Sequence, residues 1–398
     1  MRAFPTIPIA DVFVTNRQSF HVLTGRGRGN SSAAKGYITK EGPTDSPHEP
    51  AVRVKDIYMP TQIRVLVVDD SALIRGVLSR KIESDPRFKV IDTASNGREG
   101  VAKALSLKPD VITLDVDMPV MNGIEALKAI IKEGSSQVVM VSAQTEAGAA
   151  ITLQALEIGA IDFIPKSRGA ELIHEKLFAA AGAKSHRVRA AAAKPAASRA
   201  QGQAKPAHGA RVNAKIAVIG SSTGGPQALQ AVISQLPENL PVPIVVAQHM
   251  PPHFTKALAQ RLNETCQPKV VEAKDGDPLV KGTIYIAPGG MQTRVTANEI
   301  KIAPDHGESL YKPSVDVLAE SIRGAFGKNV LGVMLTGMGG DGAIEFTKLR
   351  KAGGYNISQD QASCVVYGMP RTLFEAGGAD EVLPLDQIGA RMRTALGC

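Results

Sequence analysis

Two sets of residues in this 398-residue chain have the types and spacing to do chemistry. The first is acidic. Asp69 and Asp70 close one apolar run, Asp115 closes another, and Ser142 and Lys166 follow two more. Carboxylates gathered at one edge repel unless a divalent cation compensates them, so a magnesium site follows. The reaction that uses such a set is phosphoryl transfer to a carboxylate. Asp115 would be the acceptor, the metal and Lys166 would neutralise the phosphoryl oxygens, and the Ser142 hydroxyl would hydrogen-bond the product. Taken singly, each Asp reads as well as a turn or helix cap. Their joint position is what argues for chemistry.

The second set begins in AVIGSSTGGPQAL, where Ser221, Ser222 and Thr223 stand in a Gly-rich turn between a strand and a helix that has Pro226 in its first turn. Such a turn either cradles a phosphate on the helix N-terminus or exposes a nucleophile beside backbone N–H groups. The G-x-G-x-x-G fingerprint and the P-loop lysine are both absent, which favours the nucleophile and leaves a nucleotide site as the rival. His249 arrives at the end of the next apolar run, IVVAQ. Asp341 follows a third, VLGVMLTG, after Met338 and two glycines. Ser, His and Asp at neighbouring strand ends let imidazole take the serine proton while the carboxylate fixes the tautomer. The glycines beside Met338 leave its N–H free to approach an oxyanion. A zinc pair of His249 and His253 is disfavoured, because Pro251 and Pro252 prevent a shared helical face.

The elements that must position these residues are legible as apolar runs. Ile63–Val68, Val90–Thr93, Val111–Leu114, Gln137–Val141 and Asp162–Ile164 alternate with helical patterns, and the rhythm restarts at Lys215–Gly220, Ile244–Ala247, Ile284–Ala287 and Val330–Leu335. Continuous apolar strands separated by helices predict parallel sheets covered on both faces. The expected fold class is therefore α/β, with a five-stranded parallel domain followed by a doubly wound, mostly parallel one. Ligands should sit at the carboxyl ends of the strands.

The net charge of +8 raises nucleic acid as a partner, yet ten Lys or Arg against Glu171 and Glu175 fall between Arg168 and Lys215 and account for the whole surplus. That stretch is Ala-rich, with no aromatic residue after Phe178, and reads as a solvated tether. Three scattered cysteines suggest neither disulfides nor a zinc ribbon. No apolar run is long enough to span a bilayer, so a cytoplasmic protein without membrane insertion is expected. Expected boundaries are 1–60 for a disordered N-terminal extension, with Met59 as an alternative start, 61–183 for the first domain, 184–211 for the linker and 212–398 for the second domain.

Two resemblances then become specific. VLVVDDSALIR, TLDVDMPVMNGIEAL, MVSAQT and GAIDFIPK resemble the blocks of response-regulator receiver domains, whose fold is flavodoxin-like. Carried over position by position, the resemblance implies Asp115 as phosphoacceptor and magnesium held by Asp70, Asp115 and the Asp117 carbonyl, with Asp69 beside them. It also implies Ser142 as switch hydroxyl, Lys166 as the essential lysine and Phe163 as a switch aromatic, a position that reads equally well as plain core. IGSSTGGPQAL, VAQHMPPHFTKALAQRLN, YIAPGG, YKPSVDVL, LTGMGGDGA and QDQASCVVYGMP are similar to segments of the chemotaxis receptor methylesterases. That similarity implies Ser222 as nucleophile, since Ser221 stands where the family often has Ala, with His249 as base and Asp341 as its orienter. Met338 N–H would be an oxyanion donor, with Thr223 nearby. Gly340 and the pair Met291–Gln292 depart from residues frequent in that family. The implied activity is hydrolysis of glutamate methyl esters, with deamidation of glutamines at equivalent sites and no cofactor for the ester chemistry. A chemotaxis histidine kinase and methyl-accepting chemoreceptors are the implied partners of a monomer.

Overall fold

The first strand, β1 (Ile63–Val68), buries five of its six residues, the burial expected of a strand with helices on both faces. In the computed structural model of the protein, the described residues are 62–143, 145–166, 173–192, 211–305 and 309–398. The expected N-terminal extension, the alternative start at Met59 and linker residues 193–210 lie outside the described residues. After β1 come α1 (Ala72–Glu83), β2 (Phe88–Ala94), α2 (Gly97–Leu107), β3 (Val111–Asp115), α3 (Gly123–Glu133), β4 (Gln137–Ser142), α4 (Glu146–Ile158), β5 (Asp162–Pro165) and α5 (Ile173–Ala192). The strands pair in parallel in the order β2-β1-β3-β4-β5, so β1 and β3 are neighbours and their carboxyl ends share one edge. Helices α1 to α4 start on side-chain caps from Ser71, Asn96, Asn122 and Thr145, each a polar residue able to satisfy an orphan N–H. The last helix, α5, continues to Ala192, beyond the boundary expected at 183.

The second domain runs β6 (Ile216–Ser221), α6 (Gly225–Ile233), β7 (Ile244–Gln248), α7 (Phe254–Thr265), β8 (Lys269–Glu272), β9 (Thr283–Ile286), β10 (Gln292–Val295), β11 (Ile300–Ala303), α8 (Val315–Phe326), β12 (Val330–Met334), α9 (Ala343–Lys351), β13 (Tyr355–Gln359), α10 (Met369–Glu375), β14 (Glu381–Leu383) and α11 (Leu385–Leu396). Seven strands form one sheet in the order β14-β13-β12-β6-β7-β9-β8, and every pairing in it is parallel. Among the described residues, antiparallel pairing is found in the separate β10–β11 pair and in an isolated bridge between Pro278 and Glu299. Along β6, Ala217 and Ile219 join one apolar cluster while Ile216 and Val218 join another, so each face of the sheet has its own core. The chain leaves β6 for β7, β9 and β8, then crosses back to β12, β13 and β14. That reversal opens a crevice beyond the carboxyl ends of β6 and β12.

One of the apolar clusters is continuous between the two domains. Around it, Gln227 of α6 donates to the carbonyls of Leu156 and Ala160, and Arg261 and Lys256 of α7 pair with Glu157 and Glu146 of α4. The last two pairs are exposed and contribute little on their own. Two further buried contacts join the domains. Asp162 Oδ2 accepts the Thr223 hydroxyl at 2.6 Å, and the Phe163 and Phe254 rings stack at 4.2 Å.

Candidate functional site

The acidic cluster sits where the strand order brings β1 and β3 together. Carboxylate oxygens of Asp69, Asp70 and Asp115 lie within 4.8 Å of one another. Lys166 Nζ reaches Asp115 Oδ2 at 2.8 Å and Asp69 Oδ2 at 3.2 Å. Asp115 is 1% exposed. Its carboxyl is pushed up to about 6 by burial, with the Asp69 charge acting in the same direction and the Lys166 and Val116 hydrogen bonds opposing it. Asp69 Oδ2 has no hydrogen-bond partner although it is buried. Three clustered carboxylates, one with a buried oxygen that meets only the Lys166 ammonium, fit a magnesium ion, which takes oxygen ligands and neutralises such a cluster. The Asp117 side chain is exposed and lies apart from the cluster, so only its backbone could contribute. Ser142 Oγ is buried at the end of β4 and makes only long contacts, 3.3 Å to the Gly148 carbonyl and 3.4 Å to that of Ala143. Phe163 is buried against Phe254 of the second domain, with Lys176 Nζ 5.1 Å from its ring centre.

In the second domain the register places the reactive residues. Ser221 at the end of β6 pairs with Gln248 at the end of β7, so Ser222 and His249 are the next residues on adjacent parallel strands, which run roughly 4.8 Å apart. Ser221 is fully buried and spends its hydroxyl on Gln248 Oε1 at 2.7 Å. Ser222 is partly exposed, and its hydroxyl donates to none of the described residues. The loop after β12 runs against it: Ser222 N–H donates to the Thr336 carbonyl at 3.0 Å, and a Cβ at Gly337 would lie 2.9 Å from that of Ser222. Only glycine permits that approach. It brings the next residue, Met338, alongside the serine, with an amide that donates to none of the described residues.

His249 and Asp341 form a closed pair, with Nε2 on Oδ2 at 2.7 Å. Asp341 Oδ2 also accepts from Val315 N–H at 2.6 Å, while Oδ1 accepts from Ser314 Oγ at 2.8 Å and Asp316 N–H at 3.1 Å. Burial alone would raise this carboxyl. The His249 bond and the amides opening α8 outweigh it and leave the group below the usual carboxylate range. A carboxylate on Nε2–H leaves Nδ1 as the basic nitrogen, and Nδ1 is buried without a partner. Ser222 and His249 are thus on neighbouring strands without a hydrogen bond between them, a bond that in unliganded sites often closes only with substrate. His253 lies at the N-cap of α7, off any helical face shared with His249.

The sequence reading missed three residues here. Tyr311 lies flat on the His249 ring, with centroids 4.1 Å apart and planes 5° apart. Ser314 caps α8 and holds Asp341. Asp162 takes the hydroxyl of Thr223, a residue expected to serve the oxyanion site. A Ser just ahead of an apolar helical pattern is a cap signal and could have flagged Ser314. The other two carry no local signal.

Known proteins resemble this chain over both of its domains. Residues 217–392 match the family described as CheB methylesterase and residues 65–178 the response regulator receiver domain. A protein-glutamate methylesterase/protein-glutamine glutaminase of Symbiobacterium thermophilum is 44% identical over 353 residues, covering 84% of this chain and 97% of that protein. One of the same description from Thermotoga maritima is 45% identical over 340 residues, covering 83% and 97%. The crystal structure of the Thermotoga maritima CheB methylesterase catalytic domain is 42% identical, with a TM-score of 0.44, over 45% of this chain and 97% of that one. Among the described residues, no helix is long and apolar enough to cross a membrane.

Proposed function

The chain belongs to the CheB family of protein-glutamate methylesterases/protein-glutamine glutaminases, and on that premise we propose that Ser222, His249 and Asp341 carry out its hydrolytic reaction under control of Asp115. It is a chemotaxis response regulator whose output is an esterase. The proposed substrates are glutamate methyl esters, and glutamines at equivalent sites, on the cytoplasmic helices of methyl-accepting chemoreceptors. The observation that carries the reading is register: Ser222 and His249 follow a paired Ser221 and Gln248, and His249 is already tied to Asp341.

Ser222 Oγ attacks the side-chain carbonyl carbon and its proton passes to His249 Nδ1. The oxyanion forms beside the Met338 amide. When the tetrahedral intermediate collapses, the imidazolium returns its proton to the leaving group, which departs as methanol from an ester or ammonia from an amide. Water, deprotonated by the same nitrogen, then cleaves the acyl-serine to release a glutamate side chain and restore Ser222. Asp341 keeps Nε2 protonated and stabilises the imidazolium throughout.

The input side follows from the acidic cluster. Asp69, Asp70, Asp115 and the Asp117 carbonyl would hold magnesium, which supplies charge neutralisation for phosphoryl transfer from a histidine kinase. Asp115 accepts the phosphoryl group and Lys166 and Ser142 meet its oxygens. The Asp162–Thr223 bond and the Phe163–Phe254 stack support a receiver that covers the crevice when unphosphorylated, so phosphorylation shifts the population toward an open form. Methanol release from methylated receptor membranes tests the chemistry: Ser222→Ala is expected to lose at least ~10³-fold. Full activity of that variant would remove Ser222 as the nucleophile.

A further inference from the structure

His249 is fixed by one hydrogen bond at Nε2, and its Nδ1 has no partner. A single bond leaves an imidazole free to turn about the N–H···O axis, which would move Nδ1. One short segment, Tyr311 to Ser314, is built against that motion. Its first residue presents an aromatic face parallel to the imidazole, 5° between planes and 4.1 Å between centroids. At this spacing the rings are close to van der Waals contact, so the imidazole cannot tilt far without striking the phenol. Its last residue holds the partner carboxylate through Ser314 Oγ. Gln292, buried at the start of β10, brackets the segment: Nε2 donates to the Tyr311 carbonyl at 2.8 Å and Oε1 accepts from Ser314 N–H at 2.9 Å. The phenol also spans the site, because a Cβ at Gly339 would lie 3.0 Å from the Tyr311 hydroxyl.

We propose that Tyr311 is a positioning residue for the esterase reaction, fixing the plane of His249 so that Nδ1 stays in line with Ser222, with Gln292 as the anchor of the segment that carries it. The inference rests on the reading of Ser222 and His249 as nucleophile and base. The ring face does the positioning, so the hydroxyl is dispensable.

The test uses the full-length protein, with the receiver phosphorylated by a small-molecule phosphodonor so that access is equal in all variants. Methanol release from methylated receptor membranes gives kcat and KM, and the rate of Ser222 sulfonylation by phenylmethanesulfonyl fluoride reports nucleophilicity without receptor docking. Tyr311→Leu is expected to lower kcat and the sulfonylation rate together by ~30- to 100-fold, with KM within about twofold of wild type, because a misaligned base costs the chemical step. Tyr311→Phe is expected to stay within about threefold of wild type in both assays. Wild-type kcat in Tyr311→Leu, or a loss in Tyr311→Phe as large as in Tyr311→Leu, would overturn the proposal. A general folding defect in the Leu variant leaves the Phe variant as the deciding measurement. Ser222→Ala separates the two levels: if it still hydrolyses ester and is still sulfonylated, the nucleophile assignment has failed, whereas an inert Ser222→Ala beside an unaffected Tyr311→Leu condemns the Tyr311 inference alone.

Discussion

Asp115 and Asp341 occupy similar places in two parallel sheets, each at or just beyond a strand's carboxyl end and each with a largely buried carboxylate, yet their environments resolve burial in opposite directions. Asp341 collects four hydrogen bonds, from His249, Ser314 and two amides of α8, and its carboxyl is held low. Asp115 has the Val116 amide and Lys166 against the charge of Asp69, and its carboxyl is pushed up to about 6. A charge-assisted hydrogen bond contributes about 1.5–3 kcal/mol, so two further donors are enough to reverse the sign. The Asp341 carboxylate is satisfied as folded, whereas the Asp115 cluster stays electrostatically unfinished until a cation and a phosphoryl group arrive. Helix starts differ between the domains too, although Ser314 caps α8. The receiver's α1 to α4 have side-chain caps, while α6, α7 and α9, which begin just after Ser222, His249 and Asp341, have none. At α9 the Asp316 carboxylate accepts the Glu345 amide instead. A finished site can be regulated by access rather than by assembly.

The largest effect expected from breaking this contrast is at Asp341. Asp341→Asn keeps the shape and loses the charge, and its amide N–H₂ turned toward His249 would force the proton onto Nδ1, the nitrogen required as base. Methanol release is expected to fall ~10²- to 10⁴-fold with the fold retained. Activity within tenfold of wild type would mean the pair is structural. A smaller effect is expected at the interface. Asp162→Ala removes the acceptor of the buried Thr223 hydroxyl, a bond whose loss shifts a closed-to-open equilibrium by roughly tenfold. Basal esterase activity should rise about five- to tenfold, and the further gain on phosphorylation should shrink by the same factor. An unchanged ratio of phosphorylated to basal activity would show that this contact does not restrain the crevice.

Much of both sites was legible in the sequence because their signals are local. Continuous runs such as IRVLVV and IVVAQ state a strand covered on both faces, and chemistry placed at a run's end is placed at a sheet edge. Strand β13 shows why the rest was not. YNISQ has no apolar run, yet Asn356, Ser358 and Gln359 are fully buried, because Asn356 donates to the Phe346 and Gly378 carbonyls and Gln359 accepts from Thr336 N–H. Buried polar residues satisfied by distant backbone cannot be recognised from their neighbours in the chain. The supports of the His249–Asp341 pair fail for the same reason. Tyr311 and His249 meet only when the loop before α8 folds over the end of β7. Thr223 was readable as a residue beside the nucleophile, but its commitment to Asp162 joins two domains.

The smallest expected effect tests the unfinished state of the input site. A carboxyl raised from its ordinary 3.8 to about 6 is penalised when ionised in the folded protein. Near pH 4 and below, Asp115 is protonated in the native state and imposes no cost. As pH rises from about 4 to about 6 the group ionises freely in the unfolded chain while the native carboxyl keeps its proton, so stability falls across that window and levels off above it, where the native charge appears beside Asp69. In metal-free buffer Asp115→Asn should therefore raise the thermal unfolding midpoint by a few degrees, about 3 °C, near pH 8 and by much less near pH 4. Magnesium should raise the wild-type midpoint more at the higher pH, since the ionised cluster binds it better, and should raise the Asn variant less. Scanning calorimetry at both pH values, with and without magnesium, separates these terms. An Asn substitution that destabilises equally at both would mean that the Lys166 and Val116 hydrogen bonds outweigh burial at Asp115, as the His249 and α8 hydrogen bonds do at Asp341, and the two strand-end sites would then be alike.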